Sequence, residues 1–99
     1  MRLTADQVNT IKRCTRELFG ENAKVYLFGS RTDDQEKGGD IDLFIELPEQ
    51  QDKTLDRTLK LNGALQQAFG MQKIDIIIHA LQQRWLPVHL EAKNNGILL

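Results

Sequence analysis

The hydrophobic and polar positions of this chain repeat with two different periods, and this pattern predicts helices that alternate with strands. In the first segment the apolar residues recur at helical spacing: Val8, Ile11, Leu18 and Phe19. The preceding sequence Thr4-Ala5-Asp6-Gln7 is a capping box, a typical helix start, and Gly20 is a typical helix end. We therefore expect a helix between these two signals.

Three later runs of residues favour strands. Residues 24–28 and 40–47 predict the first two strands, and Pro48 closes the second. Residues 72–78 predict the third strand, whose run is almost continuously apolar, as is typical of a strand in the interior of a covered sheet. The chain therefore has the strands for a small sheet.

Further helical segments separate and follow these strands. A short helix is expected to begin at Ser30, and a final helical region after residue 80 is broken or restarted at Pro87. Residues 50–69 predict a long helix that ends at Gly70 and turns four apolar residues inward: Leu55, Leu59, Leu65 and Phe69. Because no linker or repeat interrupts the 99 residues, we expect one α/β (α+β) domain over residues 1–99.

Two carboxylates stand one residue apart in the second predicted strand, at Asp40 and Asp42. Side chains alternate across a strand, so these two share one face, where they repel each other. A cation that needs oxygen ligands is the usual reason for such a pair. Mg²⁺ suits it, because this ion takes one or two carboxylates and completes its shell with water and substrate phosphates. The alternative is that both acids lie at a strand edge and promote solubility.

The sequence Gly29-Ser30 comes directly after the first predicted strand and favours a phosphate-binding turn. Backbone N–H groups at a helix start and the Ser30 hydroxyl both attract an anion. A helix cap is the simpler role for Ser30, and it is compatible with phosphate binding. The turn and the two carboxylates together favour a site for a metal ion and a triphosphate.

The third predicted strand contains a single carboxylate, Asp75. An ionised acid buried without a partner costs on the order of several kcal/mol, so Asp75 is expected to be neutralised, paired or bound to metal. If this strand lies beside the second, the three acids converge on a pair of metal ions about 3.5–4 Å apart, as in two-metal phosphoryl transfer. A buried Lys or Arg partner is the alternative for Asp75.

This combination of motifs resembles the nucleotidyltransferase superfamily that includes DNA polymerase beta. Nearly the whole chain is similar to its short members, the minimal nucleotidyltransferases, and the segment 86–99 resembles their ending. The resemblance implies a nucleotidyltransferase fold, with a mixed three-stranded sheet flanked by helices. It also implies that Asp40, Asp42 and Asp75 are the catalytic acids and the ligands of two Mg²⁺ ions. The residues implied to hold the phosphates of ATP, the co-substrate, are Gly29, Ser30 and Arg31.

Minimal nucleotidyltransferases that stand alone commonly act as antitoxins beside a HEPN-domain toxin. The resemblance therefore implies transfer of AMP from ATP to a tyrosine hydroxyl of such a partner protein. One alternative is a non-catalytic antitoxin that neutralises the HEPN partner by binding alone. The other is transfer to a small molecule such as an aminoglycoside, with the acceptor pocket at an interface between copies.

Composition narrows the class of partner further. The net charge is −1 and no run of Lys or Arg appears, whereas an enzyme that acts on a nucleic acid needs a basic face, so we expect no direct nucleic-acid contact. Cys14 is the only cysteine, which excludes an internal disulfide and a Cys-based zinc site. Neither a signal peptide nor a long apolar span appears, so we expect a cytoplasmic location and no membrane contact.

The remaining unusual side chains are expected to be structural. Cys14 falls near the apolar stripe of the first helix and is predicted to be a core residue. His79 and His89 lack metal-ligand spacing, and a solvated loop is expected for His79. Trp85 and Leu86 are predicted to lie in the core, with a partner surface as the alternative.

Overall fold

The computed structural model describes residues 3–29 and 40–99, which form helices and strands in the expected order. In chain order these elements are α1 (Ala5–Phe19), β1 (Lys24–Phe28), β2 (Ile41–Glu46), α2 (Thr54–Phe69), β3 (Ile74–His79), α3 (Pro87–Asn95) and β4 (Ile97–Leu98). Within this part of the chain, no helix is both long enough and apolar enough to cross a membrane.

The strands form one mixed sheet with the spatial order β3-β2-β1-β4. β1 is antiparallel to both β2 and β4, whereas β2 and β3 are parallel. The α+β class is confirmed, but the sheet has four strands and not three. The additional strand β4 pairs only Ile97 and Leu98 with β1, and a strand of two residues is too short for an alternating pattern to reveal.

The first helix begins at the capping box that the sequence predicts. The Gln7 backbone N–H donates to Thr4 Oγ1 at 3.1 Å, and the Thr4 N–H donates to Gln7 Oε1 at 2.9 Å. Gly20 ends the helix with a φ of 99°, and its N–H donates to the Arg16 carbonyl. These contacts satisfy backbone groups that both helix ends would otherwise leave unpaired.

The core lies mainly between the sheet and the pair α1 and α2. Side chains from alternate positions of the strands meet both helices there, and Cys14 is buried among them as predicted. Fully buried members of this core are Ile11, Leu27, Ile41, Leu43, Ile45, Leu61 and Leu65. On the other face of the sheet, α3 covers a smaller aromatic cluster around Tyr26 and Phe44. The sheet is therefore a middle layer between two helical layers.

Helix α2 departs from the prediction at its start and on its inward face. It begins at Thr54 because Lys53 has a φ of 56°, which a right-handed helix does not allow. Leu55 and Leu59 are 72% and 62% exposed, so the prediction that they face inward is wrong. Leu65 is fully buried as predicted, and Leu61 is buried in addition; the six positions from Leu55 to Leu61 turn Leu55 about 120° away from that face.

Strand β3 is an edge strand, which overturns the expectation of an interior position. Asp75 is exposed, and the isoleucines that follow it are only partly buried. The apolar run reflects the two covered faces of the strand and does not require a neighbour on both edges. Asn62 of α2 covers part of the open edge, since its side-chain amide donates to the Ile74 carbonyl at 2.9 Å.

Candidate functional site

A row of side chains crosses three strands at one end of the sheet. Asp42 of β2 is the register partner of Phe28 in β1 and of Asp75 in β3. Directly paired residues of neighbouring strands place their side chains on the same face. That face is the one covered by α3, because Phe44 lies two residues beyond Asp42 and packs there. Strand register therefore brings the two carboxylates together without a contribution from any loop.

The environment of Asp42 disfavours its charge. Burial of this half-buried carboxyl raises its pKa above the usual value of 3.8, and the charges of Asp75 and Asp40 raise it further. A side-chain hydrogen bond with Asp75 acts in the same direction, whereas the cation of Lys73 lowers the pKa of Asp42. Among residues 3–29 and 40–99, negative charge is thus concentrated at this point of the fold, and Lys73 offsets part of it.

Asp40 lies directly before β2 and is partly exposed. Its Oδ2 atom is 3.9 Å from the Lys73 ammonium, with both side chains well exposed to solvent, so this ion pair adds little stability. Because Lys73 precedes β3 just as Asp40 precedes β2, the pair continues the parallel register of the two strands. Asp40 is close enough for its charge to act on Asp42, although its side chain faces a lysine as well.

Gly29 lies directly after β1 and touches the acidic row. Its φ of 79° is a left-handed conformation that favours glycine. A methyl group at this position would overlap the Asp42 carboxylate, so a side chain here would displace that acid. Ser30 and Arg31, predicted to hold phosphates with Gly29, lie outside the described residues, as does the helix expected to begin at Ser30.

A depression of about 350 Å³ opens beside Gly29, between the end of β1 and α3. Its lining residues are Phe28, Gly29, Val88, Glu91, Ala92 and Asn95. The sequence did not predict that α3 lines this depression, because the helix contains no recognisable motif. Its polar residues are of the kinds found on any solvent-exposed helix. The position of α3 over the sheet, which depends on tertiary packing, makes it one wall of the site.

The donor chemistry of the acidic row fits a hard divalent cation. In the part of the chain that the structure describes, carboxylate oxygens from three aspartates carry more negative charge than Lys73 balances, and Mg²⁺ or Mn²⁺ prefers such ligands. Nevertheless, among residues 3–29 and 40–99 no three His, Cys, Asp or Glu side chains are already arranged as a metal site. The described side chains therefore offer a carboxylate pair with a third acid nearby.

Comparison with known proteins assigns the chain to a family. No curated protein matches the chain. The sequence model of the nucleotidyltransferase domain matches residues 8–94, which include both paired aspartates and nearly all of the sheet. Because this match covers most of the chain, the protein belongs to the nucleotidyltransferase domain family.

Proposed function

We propose that this protein transfers AMP from ATP to a hydroxyl group of a partner protein, with release of pyrophosphate. Family membership supports nucleotidyl transfer as the general activity. The observation that carries the proposal is the register of Asp42 with Asp75, beside a glycine that touches Asp42. Two adjacent carboxylates next to a turn of this kind suit an ion that is shared with a nucleoside triphosphate.

Each predicted site residue has a role in this proposal. Asp40, Asp42 and Asp75 would hold Mg²⁺, which on binding supplies positive charge to the attacking and leaving oxygens. Gly29 would bring backbone close to the phosphates, because it leaves no side chain between the end of β1 and Asp42. Ser30 and Arg31 would donate hydrogen bonds and charge to the same phosphates.

The transfer itself is an in-line displacement at the α-phosphorus. The acceptor oxygen forms a bond to that phosphorus, the bond to the bridging oxygen of the β-phosphate breaks, and pyrophosphate leaves with the electron pair. The hydroxyl proton passes to a carboxylate, for which we propose Asp75. This side chain is exposed on an edge strand, so a bulky acceptor has access to it.

The surface of the domain favours a protein as the acceptor. Four exposed large apolar side chains lie in the short segment that leads into and through α3: Leu81, Leu86, Val88 and Leu90. Apolar side chains concentrated on a surface are typical of protein contacts. Together with the net charge of −1, they favour a protein over a nucleic acid. In agreement with the resemblance, we propose a tyrosine of a HEPN-domain toxin as the acceptor.

Intact-mass spectrometry tests this proposal directly. The chain is incubated with ATP, Mg²⁺ and a candidate HEPN-domain partner protein. Transfer should add about 329 Da, the mass of one AMP residue, or multiples of it to the partner. Asp75→Asn should abolish the mass shift, whereas Asp56→Asn, which alters an exposed acid of α2 on the other side of the sheet, should leave it intact.

The same experiment separates the alternatives. If the partner stays unmodified but is fully silenced, and the Asp75→Asn protein silences it equally well, the chain acts by binding alone. If the partner is neither modified nor bound, a small-molecule acceptor becomes the better hypothesis, and modification of an aminoglycoside in the presence of ATP and Mg²⁺ tests it.

A further inference from the structure

A buried histidine connects α3 to the edge of the sheet. His89 is only 4% exposed and lies in the first turn of α3, three residues after Leu86. Its Nδ1 atom accepts the Leu86 backbone N–H at 3.0 Å. The same ring lies close enough to the Ile78 backbone in β3 to affect the pKa of His89, and it packs edge to face against the His79 ring at the end of β3. One imidazole therefore satisfies the start of the helix and also contacts an edge strand.

The Leu86 contact requires the neutral form of His89. A ring nitrogen that accepts a hydrogen bond carries no proton, so Nδ1 must be free, whereas the contact of the ring with the Ile78 backbone favours the protonated form. Protonation would place an N–H against the Leu86 N–H and remove the acceptor that holds it. Burial, followed by the charge of nearby His79, lowers the pKa of His89 below 6.5, in agreement with a neutral ring in the fold.

The charged and titratable groups around His89 come from every strand that faces α3. His79 of β3 lies edge to face with His89 at a centroid distance of 5.2 Å. Glu46 of β2 accepts from Lys93 of α3 at 2.7 Å and lies 3.4 Å from the Tyr26 hydroxyl of β1. The pKa of Tyr26 and that of Lys93 are both raised, so these two groups keep their charge state at pH 5–8.

The helix that His89 holds is also a wall of the candidate site. Val88 and Glu91 flank His89 in α3 and line the depression beside Gly29. Ala92, about one helical turn after His89, is buried against the sheet and brings the helix close to the strands. A loss of the His89 contacts at the start of α3 therefore changes the same wall that borders the end of β1.

We infer that His89 is a positioning residue whose neutral imidazole fixes α3 against β3, and that protonation of this ring in mildly acidic solution loosens the wall of the nucleotide-transfer site. The effect of His89 protonation on transfer activity rests on the proposed function, whereas its effect on the position of α3 does not. The acidic row itself is not involved, because His89 contacts the opposite end of β3 from Asp75.

Trp85, the single tryptophan of the chain, reports on this cluster. Its ring stacks on His79 at 3.6 Å and lies 6.1 Å from the His89 ring. We expect its fluorescence to change between pH 8 and 5, with a midpoint below about 6.5. His79→Gln removes the second imidazole that contacts Trp85, and the transition should persist in this variant. Adding His89→Gln to it should abolish the transition, because Gln at this helix position still accepts the Leu86 N–H but does not titrate.

Hydrogen exchange and activity complete the test. Amide exchange in α3 of the natural protein, corrected for the intrinsic pH dependence, should accelerate at pH 5.5 relative to pH 7.5. The transfer activity of His89→Gln, divided by that of the natural protein, should be at least about two-fold higher at pH 5.5 than at pH 7.5. ATP titrates identically in both reactions, so the ratio is independent of its phosphates.

Two results would overturn the inference. One is a fluorescence transition that persists when His89→Gln is added to His79→Gln, and the other is α3 exchange that does not change with pH in the natural protein. The exchange measurement needs no variant, so it decides even if His89→Gln fails to fold. If no transfer is detected at any pH, the proposed function fails, while fluorescence and exchange still judge the role of His89.

Discussion

Replacement of Gly29 by Ala tests whether the close approach between the end of β1 and Asp42 builds the candidate site. The φ of 79° at Gly29 costs a residue with a Cβ about 1–2 kcal/mol. The new methyl group would also overlap the Asp42 carboxylate, which must leave its rotamer at a further cost of about 1 kcal/mol. We therefore expect Gly29→Ala to lower the free energy of unfolding by about 2–3 kcal/mol.

Gly70→Ala is the matched control for this substitution. Gly70 has a φ of 81°, and no neighbouring atom lies within 4 Å of the position that its Cβ would take. It should therefore show the cost of a positive φ without a contact, at its own ψ of −178°. The contact contribution of about 1 kcal/mol at Gly29 corresponds to about 4–8 °C in melting temperature for a domain of this size, which circular dichroism measures readily.

A double-mutant cycle with Asp42→Ala isolates the contact itself. Alanine keeps the Cβ of residue 42, which lies at an ordinary 3.4 Å from the added methyl group, and removes the carboxylate. In this background Gly29→Ala should cost about 1 kcal/mol less than in the natural protein. If Gly29→Ala costs the same with and without the Asp42 carboxylate, the argument from close approach is refuted.

Two further predictions concern the acids. Asp42→Asn should abolish transfer yet raise the melting temperature at pH 7. The raised pKa of Asp42 means that the folded protein binds this proton more tightly than the unfolded chain does. Ionisation of Asp42 therefore destabilises the fold as pH rises from about 3.8. The gain in melting temperature should disappear below that pH, and a gain that persists there would contradict this cause. Calorimetry should show that ATP binds more tightly with Mg²⁺ than without it, because phosphates and carboxylates share the ion; equal affinities would count against the site.

Local signals in the sequence were sufficient for several elements. The capping box places the start of α1 correctly because both of its hydrogen bonds form between residues three positions apart. Strand β1 has the predicted bounds, Lys24–Phe28. The expectation that Asp75 lies beside the second strand also agrees with the register, in which Asp75 pairs with Asp42.

Other features depend on contacts between distant residues, which a single sequence does not encode locally. His79 was expected in a solvated loop but is 5% exposed, because α3 and the ring of Trp85 cover the end of β3. Trp85 is partly buried and Leu86 is exposed, although both were predicted to lie in the core. The packing of α3 on the sheet determines how exposed these three side chains are, and no sequence motif marks where α3 packs.

The α3-covered face of the sheet explains how one small domain combines an acidic row with a stable platform. Along β2 the side chains on this face are Asp42, Phe44 and Glu46, so a fully buried aromatic ring separates two charged groups. At one end Asp42 meets another acid, whereas at the other Glu46 is balanced by Lys93. The balanced end and the buried ring hold α3 in place, and the fold can therefore tolerate uncompensated charge at the end where a metal ion and a triphosphate would bind.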